Sequence, residues 1–316
     1  MKNYLLSALF LCFLIAFAPF LTLISLETEA EDATVQINDR ADGKIRVLQV
    51  SSSRILETDI TEYLIGAVAS EMPASFSEEA LKAQAVASYT YLKWILMTAD
   101  NPPAELWDIS DDSNTHQGFL TKEQMKERWG EKYDTYSSKL KRVIEETENE
   151  YIAYENEPIL AVFHAISSGR TSYSKDVWGN SIPYLISVDA PGDKLSPELI
   201  STNTFTYEEL SALFEGVDRI DKKDRIKIIS SAENGYVKEV SVGNSTMSGT
   251  ELKALLKLKS PNFTIKATDS KVEFTVYGKG HGLGMSQYSA DFMARQGYNY
   301  KEILEHFYPG TELLTD

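Results

Sequence analysis

The spacing of apolar residues predicts a strand and then a helix at the start of the globular part of the chain. Apolar and polar residues alternate over Ile45–Val50, which is typical of a strand. Asp59 and Glu62 then form a helix-opening box, and the apolar residues after them recur at the spacing of one helix face. Pro73 disfavours helical geometry in the residue before it, so this helix is predicted to end near Glu71.

The pattern continues with helices and changes to strands after about residue 150. A second opening box, formed by Ser75 and Glu78, predicts a long helix that ends near Thr98. Further helices are predicted at Lys122–Trp129, Tyr136–Thr147, Thr206–Phe214, Thr250–Leu256, Met285–Arg295 and Lys301–Tyr308. Paired strands are predicted at Tyr151–Tyr154 with Ile159–Ile166, Arg225–Ser231 with Tyr236–Val242, and Phe263–Thr268 with Lys271–Tyr277. The predicted fold class is α+β, a helical region followed by a mixed β-rich region, and not a doubly wound sheet.

An uncharged stretch near the start of the chain is long enough to cross a membrane. Tyr4–Leu26 is 23 residues without a charge, and at about 1.5 Å per helical residue it spans a hydrocarbon core of roughly 30 Å. Lys2 precedes it and acidic residues follow, which places the N-terminus in the cytoplasm and the rest outside. A signal peptide is the competing interpretation, but its apolar core is shorter. The predicted segments are a transmembrane anchor and the start of a tether (1–29), an acidic tether (30–44), a helical region (45–150) and a mixed α/β region (151–316).

Composition and charge exclude several classes of protein. Apolar residues make up 43% of the 316 positions, which is enough for a packed core and excludes a disordered chain. Lysine and arginine number 31 against 47 acidic residues, and the resulting net charge of −16 argues against a nucleic-acid partner. The single cysteine, Cys12, excludes an internal disulfide and a cysteine-cluster metal site.

Glu71 departs most clearly from the apolar pattern around it. It follows Val68 by three residues and Ala67 by four, so it shares the apolar face of its helix. Loss of hydration and the partial negative charge at a helix C-terminus both raise the pKa of a carboxyl group in this position. A proton held near neutral pH is what a general acid requires. The alternative is a glutamate that reaches solvent or pairs with a basic side chain and only supports packing.

A glycine-rich segment, dispersed histidines and three aspartates are weaker candidates. Residues 278–285 place four glycines around His281 but match neither a dinucleotide fingerprint nor a phosphate-binding loop, so they form either a ligand contact or a tight turn. His116, His164 and His281 lack metal-motif spacing, no metal ligand is predicted, and His164 fits a core histidine. Asp176, Asp189 and Asp193 are candidates for a second carboxylate, although surface solvation explains each better.

Four segments taken together resemble the stage II sporulation protein D family. They are residues 63–73 (YLIGAVASEMP), 79–86 (EALKAQAV), 163–185 (with FHAISSGRT, VWG and PYL) and 280–288 (GHGLGMSQY), followed by YPG at 308–310. These segments span nearly all of residues 45–316. The resemblance therefore covers nearly the whole of the predicted globular part.

The resemblance implies a lytic transglycosylase that cleaves the bond between N-acetylmuramic acid and N-acetylglucosamine in peptidoglycan and leaves a 1,6-anhydro end. Glu71 matches the catalytic glutamate of the family. A single carboxyl group then serves as acid and base, because the muramic 6-hydroxyl is the nucleophile, whereas an ordinary glycosidase needs two carboxyl groups. By matched motif, the substrate-binding residues are Tyr184, Arg170, Thr171, His281 and Gln287.

The chain departs from the family pattern at several positions. Tyr89 stands where the family usually has an arginine, so the resemblance implies that Tyr89 assists the acid by hydrogen bonding or that another cation substitutes. The usual Ser-Gly-Gly-Arg-Thr appears here as SSGRT at residues 167–171. Some members have a cysteine and histidines suited to zinc. Cys12 lies in the predicted membrane span and only His116 corresponds, so no cofactor is predicted and zinc stays open.

The resemblance also implies a location and partners. The chain would be a single-pass protein of the cell membrane that acts in the space between mother cell and forespore during engulfment, on peptidoglycan glycan strands stripped of peptides. Its partners would be an amidase, stage II sporulation protein P, and stage II sporulation protein M. Related amidase-enhancer proteins share these motifs, so a non-catalytic wall-binding enhancer of a partner amidase is the alternative function. A metal-dependent hydrolase is the third.

Overall fold

A computed structural model describes residues 44–98, 107–113, 115–214 and 226–316. The predicted membrane span at Tyr4–Leu26 and most of the predicted tether lie outside these residues. Within the described ranges, no helix combines the length and the apolar composition that crossing a bilayer takes. The membrane anchor stays a prediction.

Helices and strands alternate along the described chain in an α+β arrangement. The helices are α1 (Ile60–Glu71), α2 (Glu78–Thr98), α3 (Lys122–Trp129), α4 (Tyr133–Glu146), α5 (Ser174–Val177), α6 (Tyr207–Leu213), α7 (Gly249–Leu256), α8 (Gln287–Arg295) and α9 (Tyr300–Phe307). The strands are β1 (Lys44–Gln49), β2 (Arg54–Asp59), β3 (Ile109–Ser110), β4 (Glu150–Tyr154), β5 (Glu157–Pro158), β6 (Phe163–His164), β7 (Ile200–Thr206), β8 (Ile226–Ser231), β9 (Val237–Val242), β10 (Ser245–Ser248), β11 (Phe263–Ala267), β12 (Lys271–Tyr277), β13 (Met285–Ser286) and β14 (Glu312–Thr315). They form small sheets in the orders β2-β1-β3, β10-β9-β8, β11-β12-β7, β13-β6 and β14-β4-β5.

The main hydrophobic core is built around α1. Residues 63–69 of this helix are all buried, as expected of a helix that is covered on every side. Its start is fixed by Asp59, whose carboxylate accepts from the Glu62 amide at 2.7 Å, and its end by Met72, which is extended before Pro73. Side chains from α2, α4, α8, α9 and the sheets of β1 and β4 complete the core. This core therefore joins residues from both halves of the chain.

The described residues between 200 and 277 form a lobe with a hydrophobic core of its own. The sheets β11-β12-β7 and β10-β9-β8 enclose this second core together with α6 and α7. The neighbouring strands β6 and β13 run parallel, with Phe163 beside Met285, and the chain between them contains first further residues of the main core, such as Leu185 and Ala190, and then the lobe. The lobe is thus part of an insertion between two adjacent strands of the main body.

Local signals located most elements correctly, and the errors have physical causes. The prediction of α3 at Lys122–Trp129 is confirmed, as are α1 and the β8–β9 and β11–β12 pairs within a residue or two. Ser75 does not open α2; it lies in a turn, and the helix begins at Glu78. The long strand predicted at Ile159–Ile166 is also wrong, because only β6 is extended there and it pairs with β13.

Asp193 corrects another expectation, because it is fully buried and is not a solvated surface group. One carboxylate oxygen accepts from the amide and hydroxyl of Ser167, both at 2.6 Å. The other accepts from the hydroxyls of Ser286 at 2.7 Å and Ser289 at 2.8 Å. Burial raises the pKa of this carboxyl, and these hydrogen bonds partly offset the shift. Asp193 therefore ties the loop after β6 to the start of α8.

We expect Asp193→Ala to lower the free energy of unfolding by about 3 kcal/mol or more, because buried hydroxyl and amide donors lose a charged acceptor. Urea unfolding of the two proteins measures the difference. Asp189→Ala is the control, since the Asp189 side chain is 70% exposed and its ion pair with Arg170 lies at the surface. Equal losses in the two variants would contradict this role of Asp193.

Candidate active site

Glu71 lies at the edge of a cleft of about 560 Å³ between the helical layer and the chain segments beside β6 and β13. One wall comes from the end of α1, the turn after it and the helices α3 and α4. The opposite wall comes from residues near Ile166, Pro197, Lys279 and Tyr288. The Gly118 segment contacts the Glu71 carboxylate. The predicted acid is thus placed beside an open groove.

The Glu71 carboxylate is largely desolvated and accepts one backbone hydrogen bond. The Gly118 amide donates to its Oε1 at 2.5 Å. Burial raises the pKa of Glu71 above its ordinary value, and the hydrogen bond from Gly118 lowers it by a smaller amount. No basic side chain of the described residues contributes to this shift. The direction agrees with the expectation from the helix pattern and disfavours the alternative in which Glu71 pairs with a cation.

Two tyrosines border the same carboxylate. Burial, followed by the nearby charge of Glu71, raises the pKa of Tyr91 to about 12. The pKa of the fully buried Tyr63 is raised as well, mainly by burial and in part by Glu71. Both phenols therefore stay neutral at physiological pH. The two tyrosines therefore place no negative charge beside the carboxyl group of Glu71.

The contact between Gly118 and Glu71 depends on the way residues 117–120 cross α1. The Leu120 amide donates to the Gly66 carbonyl at 3.1 Å, and the Phe119 ring stacks on Tyr63 with 5.8 Å between ring centroids. A Cβ atom on Gly66 would lie 2.4 Å from the Phe119 ring, so α1 has a glycine where this segment crosses it. Residue spacing does not predict the contact between Gly118 and Glu71, because these residues are 47 positions apart in the chain.

Buried glutamines connect the cleft to the Gly118 segment. Gln287, which lines the cleft, donates to Gln84 at 3.1 Å, and Gln84 donates to the Ser88 hydroxyl at 3.1 Å. From the other side, Gln117 donates to the Tyr63 hydroxyl at 2.7 Å and to the Ser88 carbonyl at 3.2 Å. Buried amides that find partners fix the relative position of the elements that carry them. This network holds α8, α2 and the residue before Gly118 together.

Aromatic side chains line the cleft on both walls. Phe76 and Tyr288 meet edge to face at 6.3 Å, and Trp129 meets Tyr136 edge to face at 5.6 Å. The turn that carries Phe76 is held by Lys139, which donates to the Phe76 carbonyl and, at 3.1 Å, to the Ala74 carbonyl. Rings of this kind offer flat apolar faces with polar edges, which suits the face of a sugar ring.

Most of the other predicted site residues do not line this cleft. Gln287 does. Arg170 is exposed and pairs with Asp189, and the buried hydroxyl of Thr171 donates to the Ile186 carbonyl and accepts from the Val188 amide, both at 2.9 Å. Tyr184 packs on another tyrosine ring, and its hydroxyl accepts from the Leu160 amide at 3.1 Å. These three side chains make contacts that hold the main body together.

Tyr89, which stands where the family has an arginine, does not line the cleft. It is buried, and its hydroxyl donates to the Asp316 carboxylate at 2.6 Å. Lys93 pairs with the same carboxylate. The described contacts of Tyr89 are with Asp316 and Lys93. A hydrogen bond from Tyr89 that would assist Glu71 is not among them.

The two histidines of the family motifs lie beside each other and are not among the residues that line the cleft. The rings of His164 and His281 are 5.9 Å apart. Burial lowers the pKa of His164 to about 4, and burial together with the neighbouring His164 lowers that of His281 to about 3. The ring of His281 accepts from the Leu283 amide at 3.1 Å and thereby fixes the glycine-rich segment. Both rings are neutral at physiological pH.

The described residues offer no cluster of three or more histidine, cysteine or carboxylate groups that would suit a metal ion. His116 packs against Trp107, and its Nδ1 lies 2.7 Å from the Ser110 hydroxyl. Cys12 lies outside the described residues. These side chains do not form a recognisable zinc site within the described part of the chain.

Comparison with known proteins decides the family. A sequence profile described as "Stage II sporulation protein" matches residues 49–154, the stretch that contains Glu71, Gln84 and Gly118. Stage II sporulation protein D of Bacillus subtilis (strain 168) is 32% identical, over 99% of this chain and 96% of that protein. The chain belongs to the stage II sporulation protein D family. The resemblance found in the sequence motifs is thereby confirmed.

Other relatives indicate how widely the stage II sporulation protein D pattern extends. The protein of the same name from Bacillus amyloliquefaciens is 32% identical, over 91% of this chain and 82% of its own length. A Bacillus subtilis protein named amidase enhancer is 29% identical, over 79% of this chain and 40% of its own length. The family therefore includes sporulation proteins and is related to a protein named for its effect on an amidase.

Proposed function

We propose that this member of the stage II sporulation protein D family is a lytic transglycosylase of peptidoglycan and that Glu71 is its catalytic residue. The observation that carries the proposal is a half-buried, largely desolvated carboxyl with a raised pKa at the edge of an aromatic-lined cleft. A neutral carboxyl in such a place can protonate a leaving oxygen.

In the proposed reaction, Glu71 donates its proton to the oxygen between N-acetylmuramic acid and N-acetylglucosamine as the bond to the anomeric carbon breaks. The resulting carboxylate then accepts the proton of the muramic 6-hydroxyl while its oxygen bonds to the anomeric carbon. The products are a new N-acetylglucosamine end and a 1,6-anhydro muramic end. Glu71 regains its proton, and no water is consumed.

Glu198 allows this reaction to be distinguished from hydrolysis. It also lines the cleft, but its side chain is 60% exposed and its carboxylate lies 3.7 Å from the Lys259 ammonium. A two-carboxylate hydrolase would need such a group to activate water or to act as the nucleophile.

We expect Glu198→Gln to retain the initial rate of anhydro-product release within about twofold, because transglycosylation uses one carboxyl group. Rates are measured by chromatography of products from peptide-free glycan. A loss of about 10²-fold or more, the scale of a lost general base, would show that a second carboxyl group takes part and would contradict the one-carboxyl mechanism.

For the setting, we infer a membrane-anchored enzyme that acts on peptide-stripped strands outside the cytoplasmic membrane during engulfment. Its inferred partners are an amidase of the stage II sporulation protein P type and stage II sporulation protein M. The second candidate is an enhancer that binds the wall without cleaving it, and the relative named amidase enhancer favours it.

Mass spectrometry of the products tests the proposal. The purified full-length chain is incubated with peptide-free glycan strands. Release of 1,6-anhydro ends supports transglycosylation, and reducing ends with incorporated oxygen from labelled water indicate hydrolysis. An absence of products, combined with stimulation of a purified amidase, would favour the enhancer.

A further inference from the structure

Two basic side chains from distant parts of the chain line the cleft. Arg128 belongs to α3 and Lys279 to the glycine-rich segment, and neither forms an ion pair with a carboxylate of the described residues. We propose that Arg128 and Lys279 bind the carboxylate of muramic lactyl groups and so determine which strands the cleft accepts. This inference rests on the proposed function, because it concerns the ligand of the same cleft.

Lys279 projects from a rigid backbone. Its amide and carbonyl both bond to Ile166, at 2.7 and 3.1 Å. The glycines on either side have φ angles of 80° and 111°, and a Cβ at these positions would lie 2.5 Å from the Ile166 carbonyl and 2.7 Å from the His164 Cβ. Only glycine fits such close approaches with a positive φ. The glycine-rich segment thus fixes the base of Lys279, while its side chain remains exposed.

Arg128 is anchored to the carbonyl end of the helix that carries Glu71, and it forms no ion pair with that carboxyl. Its guanidinium donates to the Ala69 carbonyl at 3.0 Å, two residues before the end of α1. A cation is favoured at this carbonyl end of a helix. Arg128 makes no contribution to the pKa shift of Glu71. The guanidinium donors that do not bond to Ala69 are available to a ligand. A cation held here lines the same cleft as the acid and leaves the acid able to keep its proton.

The chemistry of the substrate identifies the anion that these groups recognise. N-acetylated sugar rings are neutral, and the lactyl group of muramic acid is the anionic substituent of the strand. Its carboxyl is an uncharged amide while a stem peptide is attached and a carboxylate once the peptide has been removed. Two cations that line one cleft attract such a carboxylate and gain no electrostatic attraction from an uncharged amide.

Kinetics on two forms of one substrate test this role. Peptide-free glycan is used as such and after conversion of its lactyl carboxylates to primary amides. Lys279→Gln is expected to raise KM about three- to tenfold on the carboxylate form, leave kcat nearly unchanged, and have no effect on the amide form. Lys279→Arg should retain most of the affinity. Lys266→Gln is the matched control, since it removes the same charge from an exposed strand position that does not line the cleft.

Binding measurements separate this inference from the proposed function. If the wild-type chain releases no anhydro ends, the proposed function fails, but the affinity of the two glycan forms still tests the cation pair. Stronger wild-type binding of the carboxylate form, abolished in the Arg128→Gln/Lys279→Gln double variant, supports the inference. Equal wild-type affinity for both forms, or equal losses on both forms in Lys279→Gln, overturns it.

Discussion

Glu71→Gln is expected to lower the initial rate of anhydro-product release by about 10²- to 10⁴-fold, the range that general acid–base catalysis contributes. The amide is close in size to the carboxyl and its oxygen can still accept from the Gly118 amide, but it cannot donate the proton that the leaving oxygen needs. Binding of peptide-free glycan should persist. Rate and affinity are measured on the same preparation by product chromatography and calorimetry.

The stability of this variant shows whether a loss of rate is chemical. Because burial raises the pKa of Glu71 above its ordinary value of 4.5, the folded state disfavours the charged carboxylate. The wild type therefore loses stability as pH rises from about 4.5 through the folded pKa, and glutamine does not titrate. Glu71→Gln should be at least as stable as the wild type at pH 8, and this advantage should disappear below pH 4.5. A variant that is less stable at pH 8, or one that keeps the wild-type rate, contradicts the role assigned to Glu71.

The same variant separates the enzyme from the enhancer. An enhancer that only binds the wall would stimulate a purified amidase equally with glutamine or glutamate at position 71. An enzyme would lose cleavage while keeping affinity for glycan. Glu71→Asp is a useful companion, because it keeps a titratable group but withdraws it from the Gly118 amide.

Gly118→Ala is expected to produce the second largest effect, a fall in rate of about 10- to 100-fold, because small displacements of a catalytic group are costly. A Cβ on Gly118 would lie 2.4 Å from the Ser70 hydroxyl and 3.0 Å from the Glu71 Oε1. Either the segment or the carboxylate must move. The hydrogen bond from Gly118 lowers the pKa of Glu71, so its loss should shift the alkaline limb of the pH–rate profile to higher pH.

A second-site change tests the steric cause. Ser70→Ala removes the closest atom, leaving a 3.2 Å contact with the Ser70 Cβ. The double variant Gly118→Ala/Ser70→Ala should recover part of the lost rate, whereas Ser70→Ala alone should resemble the wild type. If Gly118→Ala has the wild-type rate, or if the double variant is no better than the single one, the contact is not what positions Glu71.

The sequence predicted Glu71 because its signals are local. The helix spacing and Pro73 place it at the end of a buried helix, and burial follows from the residues one and two turns before it. Gln287 was reached through a family motif, and it does line the cleft. Gly118, Arg128 and Trp129 had no local signal, since each joins the cleft through packing between distant parts of the chain.

Several residues of the family motifs make structural hydrogen bonds and do not line the cleft. Thr171, Tyr184 and Tyr89 make buried hydrogen bonds outside the cleft lining. A residue type can recur in a motif because it binds a ligand or because it makes a structural hydrogen bond. The motif alone does not distinguish the two. Their proposed contacts with sugar stay predictions, as do those of Arg170 and His281.

Several strands are not predicted from the sequence because apolar and polar residues do not alternate clearly along them. In β7, exposed and half-buried positions alternate over Ile200–Thr206, no position is fully buried, and most of its residues are polar. Its place is set by pairing with β12, about 70 residues later in the chain. Contacts of this kind depend on the whole lobe and are not visible in a short window of sequence.

The most direct test of the central claim is a measurement of the pKa of Glu71 itself. Carboxyl groups of the isotope-labelled full-length chain are titrated by infrared or carbon NMR spectroscopy, and the spectrum of Glu71→Gln identifies the signal of Glu71. We predict a pKa above the ordinary value of 4.5 and a rate that declines as this group ionises. A Glu71 that titrates at or below 4.5 would leave no proton to donate near neutral pH and would contradict the account.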